Sequence, residues 1–139
     1  LTTMLFPGEN AGDAQFRPLE SWVAAALGVD TPLHFSAFHP DWRMRDTQST
    51  PPATLTRARA IAMARGLRYV YTGNVHDPAG GSTWCHGCGA LLIERDWYQL
   101  GAWGLDAAGR CRQCGAAAAG VFEATPGNWG RKRQPVRFA

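Results

Sequence analysis

The sequence predicts an α/β protein in which a βαβαβ segment is followed by a small metal-binding module. In the first half, apolar runs of strand length alternate with two segments of helical periodicity, and the connections are short. In the second half, all four cysteines of the 139-residue chain lie in two C-x-x-C-G loops. Strands that alternate with helices indicate a parallel sheet with right-handed crossovers, so we expect the cysteine loops to form a separate module.

The elements of the first half follow from their periodicity and their breakers. Turn sequences such as Pro-Gly-Glu-Asn end the strands, and Gly28 and Gly66 stand where helix C-terminal caps belong. The predicted strands are 2–6, 33–38 and 67–71, and the predicted helices are about 13–27 and 53–65. The residues expected on the buried helix faces are Phe16, Leu19, Trp22, Val23, Ala26 and Leu27, then Leu55, Ala58, Ile61 and Ala62.

The composition changes at residue 78, which sets the predicted domain limits. Residues 1–77 form the βα part, 78–125 the four-cysteine ribbon, and 126–139 a basic extended tail. Between the cysteine loops, residues 90–95 and 98–103 are predicted to form a hairpin. Trp84, Trp97, Tyr98 and Trp103 are expected to supply the apolar area that so small a module needs.

The four cysteines are predicted to form one metal site from Cys85, Cys88, Cys111 and Cys114. The two pairs are separated by 22 residues, which is typical of a four-thiolate site. Two cysteines on a tight turn can present both sulfurs to one ion. The glycine after each pair permits the left-handed backbone that turns N–H groups toward the thiolates. A closed tetrahedral site of this kind suits zinc, which we favour, or a single rubredoxin-type iron.

Two other uses of these cysteines are less consistent with the sequence. Disulfides or unpaired buried thiols would fit a secreted protein, but nothing at the N-terminus reads as a secretory signal. A catalytic thiol pair occurs singly at the start of a helix, whereas these pairs occur twice and flank strand-like sequence. The cysteines therefore indicate a metal site.

Composition and charge limit the classes of partner. No apolar run approaches the ~20 residues that span a bilayer, so we expect a cytoplasmic protein without a membrane contact. The net charge of +3 comes entirely from residues 85–139, and a divalent ion on four thiolates would lower it to about +1. Bulk charge therefore makes a nucleic-acid partner unlikely.

The chain begins directly with a strand that needs neighbours to pair with, which suggests a piece of a larger protein.

Three stretches and the double C-x-x-C-G motif together resemble a known family. Residues 3–10, 32–41 and 69–75 are similar to the C-terminal part of radical SAM proteins related to the pyruvate formate-lyase activating enzymes. The closest resemblance is to the radical SAM protein of the AmmeMemoRadiSam system, and it covers nearly the whole chain. It implies a partial TIM-like barrel, of which this chain would hold the last two strands and the segment after them, and then a rubredoxin-like ribbon.

The resemblance implies the chemistry of a complete enzyme. In the family, a [4Fe–4S] cluster on a C-x3-C-x2-C loop cleaves S-adenosylmethionine to a 5′-deoxyadenosyl radical. That motif is absent from this sequence, so we expect the chain to be an enzyme only as part of a complete radical SAM protein. The implied partners are a missing N-terminal barrel half or another protein, and a protein substrate.

The resemblance also implies a cofactor site, but no catalytic residue. It places His39 and the backbone around Leu5 and Phe6 along the S-adenosylmethionine cleft, with His39 near the adenine because of its Phe-His-Pro context. His39 could instead be a turn histidine capped by the residues after it. Glu9 and Asn10 could reach the barrel mouth or stabilise their own turn.

The other histidines are expected to be structural. His34 alternates with apolar residues on its strand and is interpreted as a core histidine. His76 and Asp77 resemble an acid/base or metal pair, but neighbours on a loop need not converge. His86 lies inside a cysteine loop, where a fifth ligand is not wanted, so we expect it to be exposed.

Two further functions compete with the radical SAM hypothesis. A zinc-ribbon module that binds nucleic acid or protein is favoured by the basic tail and by Trp97 and Trp129, but it does not need the βαβαβ half. A rubredoxin-type electron-transfer domain would require iron in the ribbon.

Overall fold

The computed structural model describes residues 1–127, which divide into two compact units, Leu1–Gly80 and the residues from Gly81 onward. The sequence placed this boundary between residues 77 and 78. The predicted basic tail lies outside the described residues from position 128 on. No helix in the described part has the length and apolarity that a bilayer crossing requires.

The first unit is built on a parallel sheet. Strands β1 (Thr2–Leu5), β2 (Leu33–Ala37) and β3 (Val70–Gly73) lie side by side in chain order. Helix α1 (Asp13–Trp22) joins the first two strands, α2 (Pro52–Ala64) joins the second and third, and the short α3 (Pro78–Gly81) follows. The predicted α/β class with parallel strands is confirmed. Among residues 1–127 these strands form an open sheet, so the partial barrel stays a prediction.

The core of this unit lies on one face of the sheet. Side chains that alternate along the strands pack against both long helices, because residues two apart on a strand share a face. The buried residues of this core are Leu5, Leu33, Phe35, Ala37 and Val70 from the strands, Phe16, Val23, Leu55, Ala58 and Ala62 from the helical segments, and Leu67 from the turn before β3. The stripe predicted for α2 is thus confirmed, with Ile61 partly buried beside it.

The other face of the sheet carries no helix in the described residues. Met4 and His34 are exposed there, and the His34 ring stacks on Tyr71 with the ring centroids 4.8 Å apart. The prediction that His34 is a core residue is therefore wrong. Its strand alternates correctly, but the helices cover the face that carries Phe35.

The end of the first helix also differs from the prediction. The segment Val23–Leu27 forms a π-helical turn, in which the Gly28 N–H donates to the Val23 carbonyl at 3.1 Å. Ala26 and Leu27, which lie in this wider turn, are exposed although the 3.6-residue periodicity placed them in the core. Trp22, the last residue of α1, is exposed as well. Val23 remains fully buried.

The third strand begins later than predicted because the preceding residues complete a helix cap. Gly66 has a φ of +94°, and the N–H of Leu67 donates to the carbonyl of Ala62 at 3.3 Å. The Arg68 N–H then donates to Val29. Pairing with β2 starts at Val70, which lies opposite Leu33.

The second unit is an antiparallel sheet with the predicted hairpin at its centre. Its strands are β4 (Thr83–Trp84), β5 (Leu91–Asp96) and β6 (Gln99–Trp103). Trp97 and Tyr98 form the exposed tip of the hairpin, so the expectation that they supply the apolar area of the module is wrong. The core is made instead by Leu92, Ile93 and Leu105 together with Cys85 and Cys111, and Trp103 packs against it.

Candidate metal centre

The first cysteine loop is closed by two backbone hydrogen bonds. The Cys85 N–H donates to the Ala90 carbonyl at 2.8 Å, and the Gly89 N–H donates to the Cys85 carbonyl at 2.9 Å. Gly89 has a φ of +75°, which a side chain disfavours. Apart from Gly89 itself and its two chain neighbours, no residue has an atom within 4 Å of the place where a Cβ would stand on Gly89. The backbone angle, not space, therefore requires the glycine.

The second loop repeats this arrangement. The Cys111 N–H donates to the Ala116 carbonyl and the Gly115 N–H donates to the Cys111 carbonyl, both at 2.8 Å. Gly115 has a φ of +76°, almost the value of its counterpart. The two C-x-x-C-G sequences thus fold into the same loop, which is the conformation that their glycines predicted.

The two loops bring the four sulfur atoms together. The Sγ atoms of Cys85 and Cys114 are 3.6 Å apart, those of Cys88 and Cys111 are 3.7 Å apart, and all four lie within 4.8 Å of one another. A tetrahedral zinc with Zn–S bonds of about 2.3 Å would separate its sulfurs by about 3.8 Å. A disulfide would hold them at about 2.05 Å. The four cysteines are therefore positioned to bind a metal ion.

The electrostatics of the cluster also favour a cation. Burial raises the pKa of the Cys85 thiol, but backbone N–H groups of Gly87 and Cys88 and the neighbouring thiols outweigh it and lower this pKa to about 7. At Cys88 the N–H of Ala90 lowers the pKa, yet hydrogen bonds to the surrounding thiols raise it to about 12. Without an ion, the first thiolate makes a second one harder to form. A divalent ion removes this conflict, so binding must expel protons.

Among residues 1–127 this is the one group of at least three histidine, cysteine or acidic side chains placed to hold a metal. His86 is exposed, as predicted for a residue between two ligands. Asp77 is engaged elsewhere: its carboxylate accepts from the hydroxyl of Thr72 and from the N–H of Gly80, both at 2.9 Å. Asp77 thus caps α3, and the geometry assigns it no metal.

The residues predicted to line a cofactor cleft lie where β1 and β2 end. Leu5 is buried, and its carbonyl accepts a hydrogen bond from the Thr50 hydroxyl. The N–H of Phe6 donates to the side chain of Asn10, whose amide donates in turn to Met4. Asn10 therefore stabilises its own turn, which was one of its two predicted roles.

His39 joins the ends of β2 and β3. Its Nε2 lies 2.8 Å from the carbonyl oxygen of Asn74, which can only accept, so this nitrogen carries the hydrogen. The Nδ1 lies 3.4 Å from the hydroxyl of Ser49. Both ring nitrogens thus have protein partners, and His39 is exposed.

Thr50 is a structural link that the sequence did not reveal. Its buried hydroxyl donates to the Leu5 carbonyl and accepts from the Phe38 N–H at 3.0 Å, which ties the ends of β1 and β2 together. A single threonine in a linker rich in Ser, Thr and Pro carries no pattern that could have identified it.

An archaeal protein is similar in sequence to most of this chain. The chain is 42% identical over 116 residues to the uncharacterized protein MJ0808 of Methanocaldococcus jannaschii. The similar region covers 83% of this chain and 35% of the relative, so the chain spans about a third of the relative's length. No protein-family model matches the chain. No solved structure matches it.

Proposed function

We propose that the second unit is a structural metal module in which Cys85, Cys88, Cys111 and Cys114 bind one zinc ion. The observation that carries this is the distance between the sulfurs of the two loops. These distances are 3.6 and 3.7 Å, close to the sulfur–sulfur distance in a tetrahedral zinc site with four thiolates. Four protein ligands leave no open coordination position for a substrate. The ion therefore stabilises the fold of a unit whose own apolar core is small.

Iron is the alternative ion, and it would change the function. A single iron on four thiolates carries one electron, as in rubredoxin-type domains. Two of the ligand cysteines, Cys88 and Cys114, are exposed, which would favour exchange of electrons with a partner. Metal analysis of the purified protein separates the two proposals. A visible absorption spectrum does so as well, because a zinc tetrathiolate is colourless and an iron tetrathiolate is coloured.

The ligand assignment is tested by matched variants of one loop. Cys88→Ser removes a proposed ligand, and His86→Ala changes an exposed neighbour that is not one. We expect the serine variant to lose bound zinc and the amide protection of β5 and β6, and the alanine variant to keep both. A serine variant that still holds one zinc per chain with an intact hairpin would contradict the four-thiolate site.

We further propose that the first unit is the C-terminal part of a radical SAM barrel in a longer protein. The resemblance over residues 3–10, 32–41 and 69–75 supports it. The three strands are parallel and in chain order, and both connecting helices pack on the same face, as in (β/α) barrels. Parallel sheets are usually covered on both faces. We therefore propose that the missing barrel half, or a protein partner, covers the face of Met4 and His34.

In this proposal the cleft for S-adenosylmethionine lies at the carboxyl ends of the strands, where such barrels bind their ligands. Because both ring nitrogens of His39 are engaged, the histidine would contact the adenine through its ring face. The chain at Leu5 and Phe6 would form a wall of the same cleft. Its contact would come from the partly buried Phe6, since the Leu5 side chain lies in the core and the Leu5 carbonyl and the Phe6 N–H have internal partners. The cluster that cleaves the cofactor would be held by other parts of the complete protein.

The cleft is tested in the full-length protein of the source gene. His39→Ala should weaken S-adenosylmethionine binding by up to about tenfold, the scale of one aromatic contact. His86→Ala, in the ribbon, is the control and should leave the affinity unchanged. Equal affinity of the His39→Ala and wild-type proteins would remove His39 from the cleft.

A further inference from the structure

Solvent access divides the four cysteines into two kinds. Cys85 is 4% exposed and Cys111 is 2% exposed, since both pack into the core of the second unit beside Leu92 and Leu105. Cys88 and Cys114 are exposed. Each loop therefore contributes one buried cysteine, the first of its pair, and one exposed cysteine, the second.

The short sulfur contacts join an exposed cysteine of one loop to a buried cysteine of the other. Cys114 lies 3.6 Å from Cys85, and Cys88 lies 3.7 Å from Cys111. A disulfide bond requires about 2.05 Å, so each of these pairs could close with a sulfur displacement of roughly 1.6 Å. Each exposed cysteine thus has a buried cysteine beside it with which it could form a disulfide.

Glycines lie beside both exposed cysteines. Gly87 has no side chain, and a Cβ built on it would lie 3.5 Å from the Sγ of Cys114. Gly89 and Gly115, which follow the exposed cysteines, are also exposed. The second cysteine of each loop is therefore the one that a small oxidant meets first in the folded chain.

We propose that peroxide oxidises this centre and releases its metal. Oxidation begins at Cys88 and Cys114, and the final products are the disulfides Cys88–Cys111 and Cys85–Cys114. The proposal rests on the four-thiolate metal site proposed above. Exposed thiolates are the sulfurs that oxidants reach first, and a neighbouring thiol converts the first product into a reversible one.

The chemistry balances with hydrogen peroxide as the oxidant. The exposed thiolate attacks one peroxide oxygen, the O–O bond breaks, and a sulfenic acid and hydroxide form. The buried thiolate then attacks the sulfenyl sulfur, which forms the S–S bond and releases a second hydroxide. Each pair thus loses two electrons to one peroxide. The metal keeps its charge and leaves, because disulfide sulfurs are no longer anionic ligands.

The test uses the full chain loaded with zinc. Hydrogen peroxide is added in steps, released zinc is measured with a chromogenic chelator, and disulfides are mapped by mass spectrometry without reduction. We expect one zinc released for each two peroxides consumed, the two cross-loop disulfides as products, and recovery of the zinc site after dithiothreitol and zinc are added. Timed iodoacetamide labelling of the unoxidised zinc protein provides an independent readout, in which Cys88 and Cys114 should be modified before Cys85 and Cys111.

Three kinds of result would contradict the release mechanism, the order of attack or the metal site. Zinc retained under peroxide that oxidises free glutathione, disulfides within a single loop, or sulfonic acids as the main products would overturn the release mechanism. Labelling of the buried cysteines first would overturn the order of attack. A chain that binds no zinc before oxidation would overturn the metal site itself, so the failure of the proposed function is distinguishable from that of this inference.

Discussion

Gly89 and Gly115 each determine the geometry of one cysteine loop through a single backbone angle. Both have φ near +75°, and both donate the N–H that closes the loop onto the carbonyl of its first cysteine. Since no residue apart from the chain neighbours has an atom within 4 Å of the position that a Cβ would occupy on either glycine, the cost of a substitution is conformational and not steric. The size of that cost can be measured directly.

Gly89→Ala should destabilise the zinc-loaded second unit by about 1 kcal/mol, because alanine in the left-handed region costs about 1–2 kcal/mol. Gly89→Asn is the matched control, since asparagine enters that region more readily and should retain more of the stability. Chemical denaturation of both variants, with zinc in excess, measures the difference. An alanine variant as stable as the wild-type protein would show that the loop does not depend on this angle.

Glu20 is a buried carboxyl without a hydrogen-bond partner among the described residues. Burial raises its pKa above the usual 4.5, although Arg65 and Arg17 oppose the change. Because the folded state holds the proton more tightly than the unfolded state, the protonated carboxyl contributes stability that is fully present below the unfolded pKa. That contribution is lost as the pH rises through the folded pKa.

Glu20→Gln should remove this pH dependence. The variant should gain stability relative to the wild-type protein as the pH rises from about 4 toward 7, because glutamine carries no charge to bury. Hydrogen exchange of the α1 amides across that range measures the difference, and Glu9→Gln, at an exposed turn position, controls for the lost charge. A difference between Glu20→Gln and wild type that is constant with pH would contradict the argument.

At the scale of the elements, Thr50 connects two strands that are adjacent in the sheet but distant in sequence. Its hydroxyl serves the Leu5 carbonyl and the Phe38 N–H at once, and its own N–H donates to the Phe38 carbonyl at 2.9 Å. The loop after β2 is thereby fixed against the end of β1. The proposed cleft residues Phe6 and His39 are the chain neighbours of Leu5 and Phe38.

Thr50→Val keeps the shape of the side chain but leaves two buried backbone groups without their partner. We expect a loss of about 1–3 kcal/mol in the free energy of unfolding of the first unit, the usual cost of such groups. Thr50→Ser keeps the hydroxyl and should lose less. Urea denaturation of the two variants gives the comparison, and a valine variant no less stable than the serine variant would show that the hydroxyl contributes little.

The elements also show which parts of the fold the sequence could predict. The cysteine site and the stripe of α2 follow from local spacing, so they were predicted residue by residue. The alternation around His34 identifies two faces of β2, but only tertiary packing decides which face the helices cover. The π-helical turn after Trp22, in which the exposed Leu27 lies, likewise has no local signal in the sequence. The cap at Gly66 was predicted, but the sequence did not show that Leu67 belongs to this cap and not to β3. The late start of β3 follows from this cap.

At the scale of the whole molecule, the two units have separate cores of different kinds. The first core joins helices and strands through aliphatic and aromatic side chains such as Phe16 and Phe35, whose ring centroids are 5.9 Å apart. The second contains few apolar residues, and two of its buried members are the cysteines Cys85 and Cys111. The first unit therefore gains its stability from apolar burial, whereas the second should depend on the metal.

Removal of the metal should consequently unfold one unit and leave the other folded. After treatment of the zinc-loaded chain with a strong chelator, we expect the amides of β4, β5 and β6 to lose their protection against hydrogen exchange, while those of β2 and α2 keep theirs. Addition of zinc should restore the protection, and addition of magnesium, which prefers oxygen ligands, should not. Because the free thiols take up the protons that the ion must expel, a fall in pH should promote the loss. Equal loss of protection in both units would mean that the metal stabilises the whole chain, and protection unchanged in both would mean that the apolar core of the second unit is sufficient by itself.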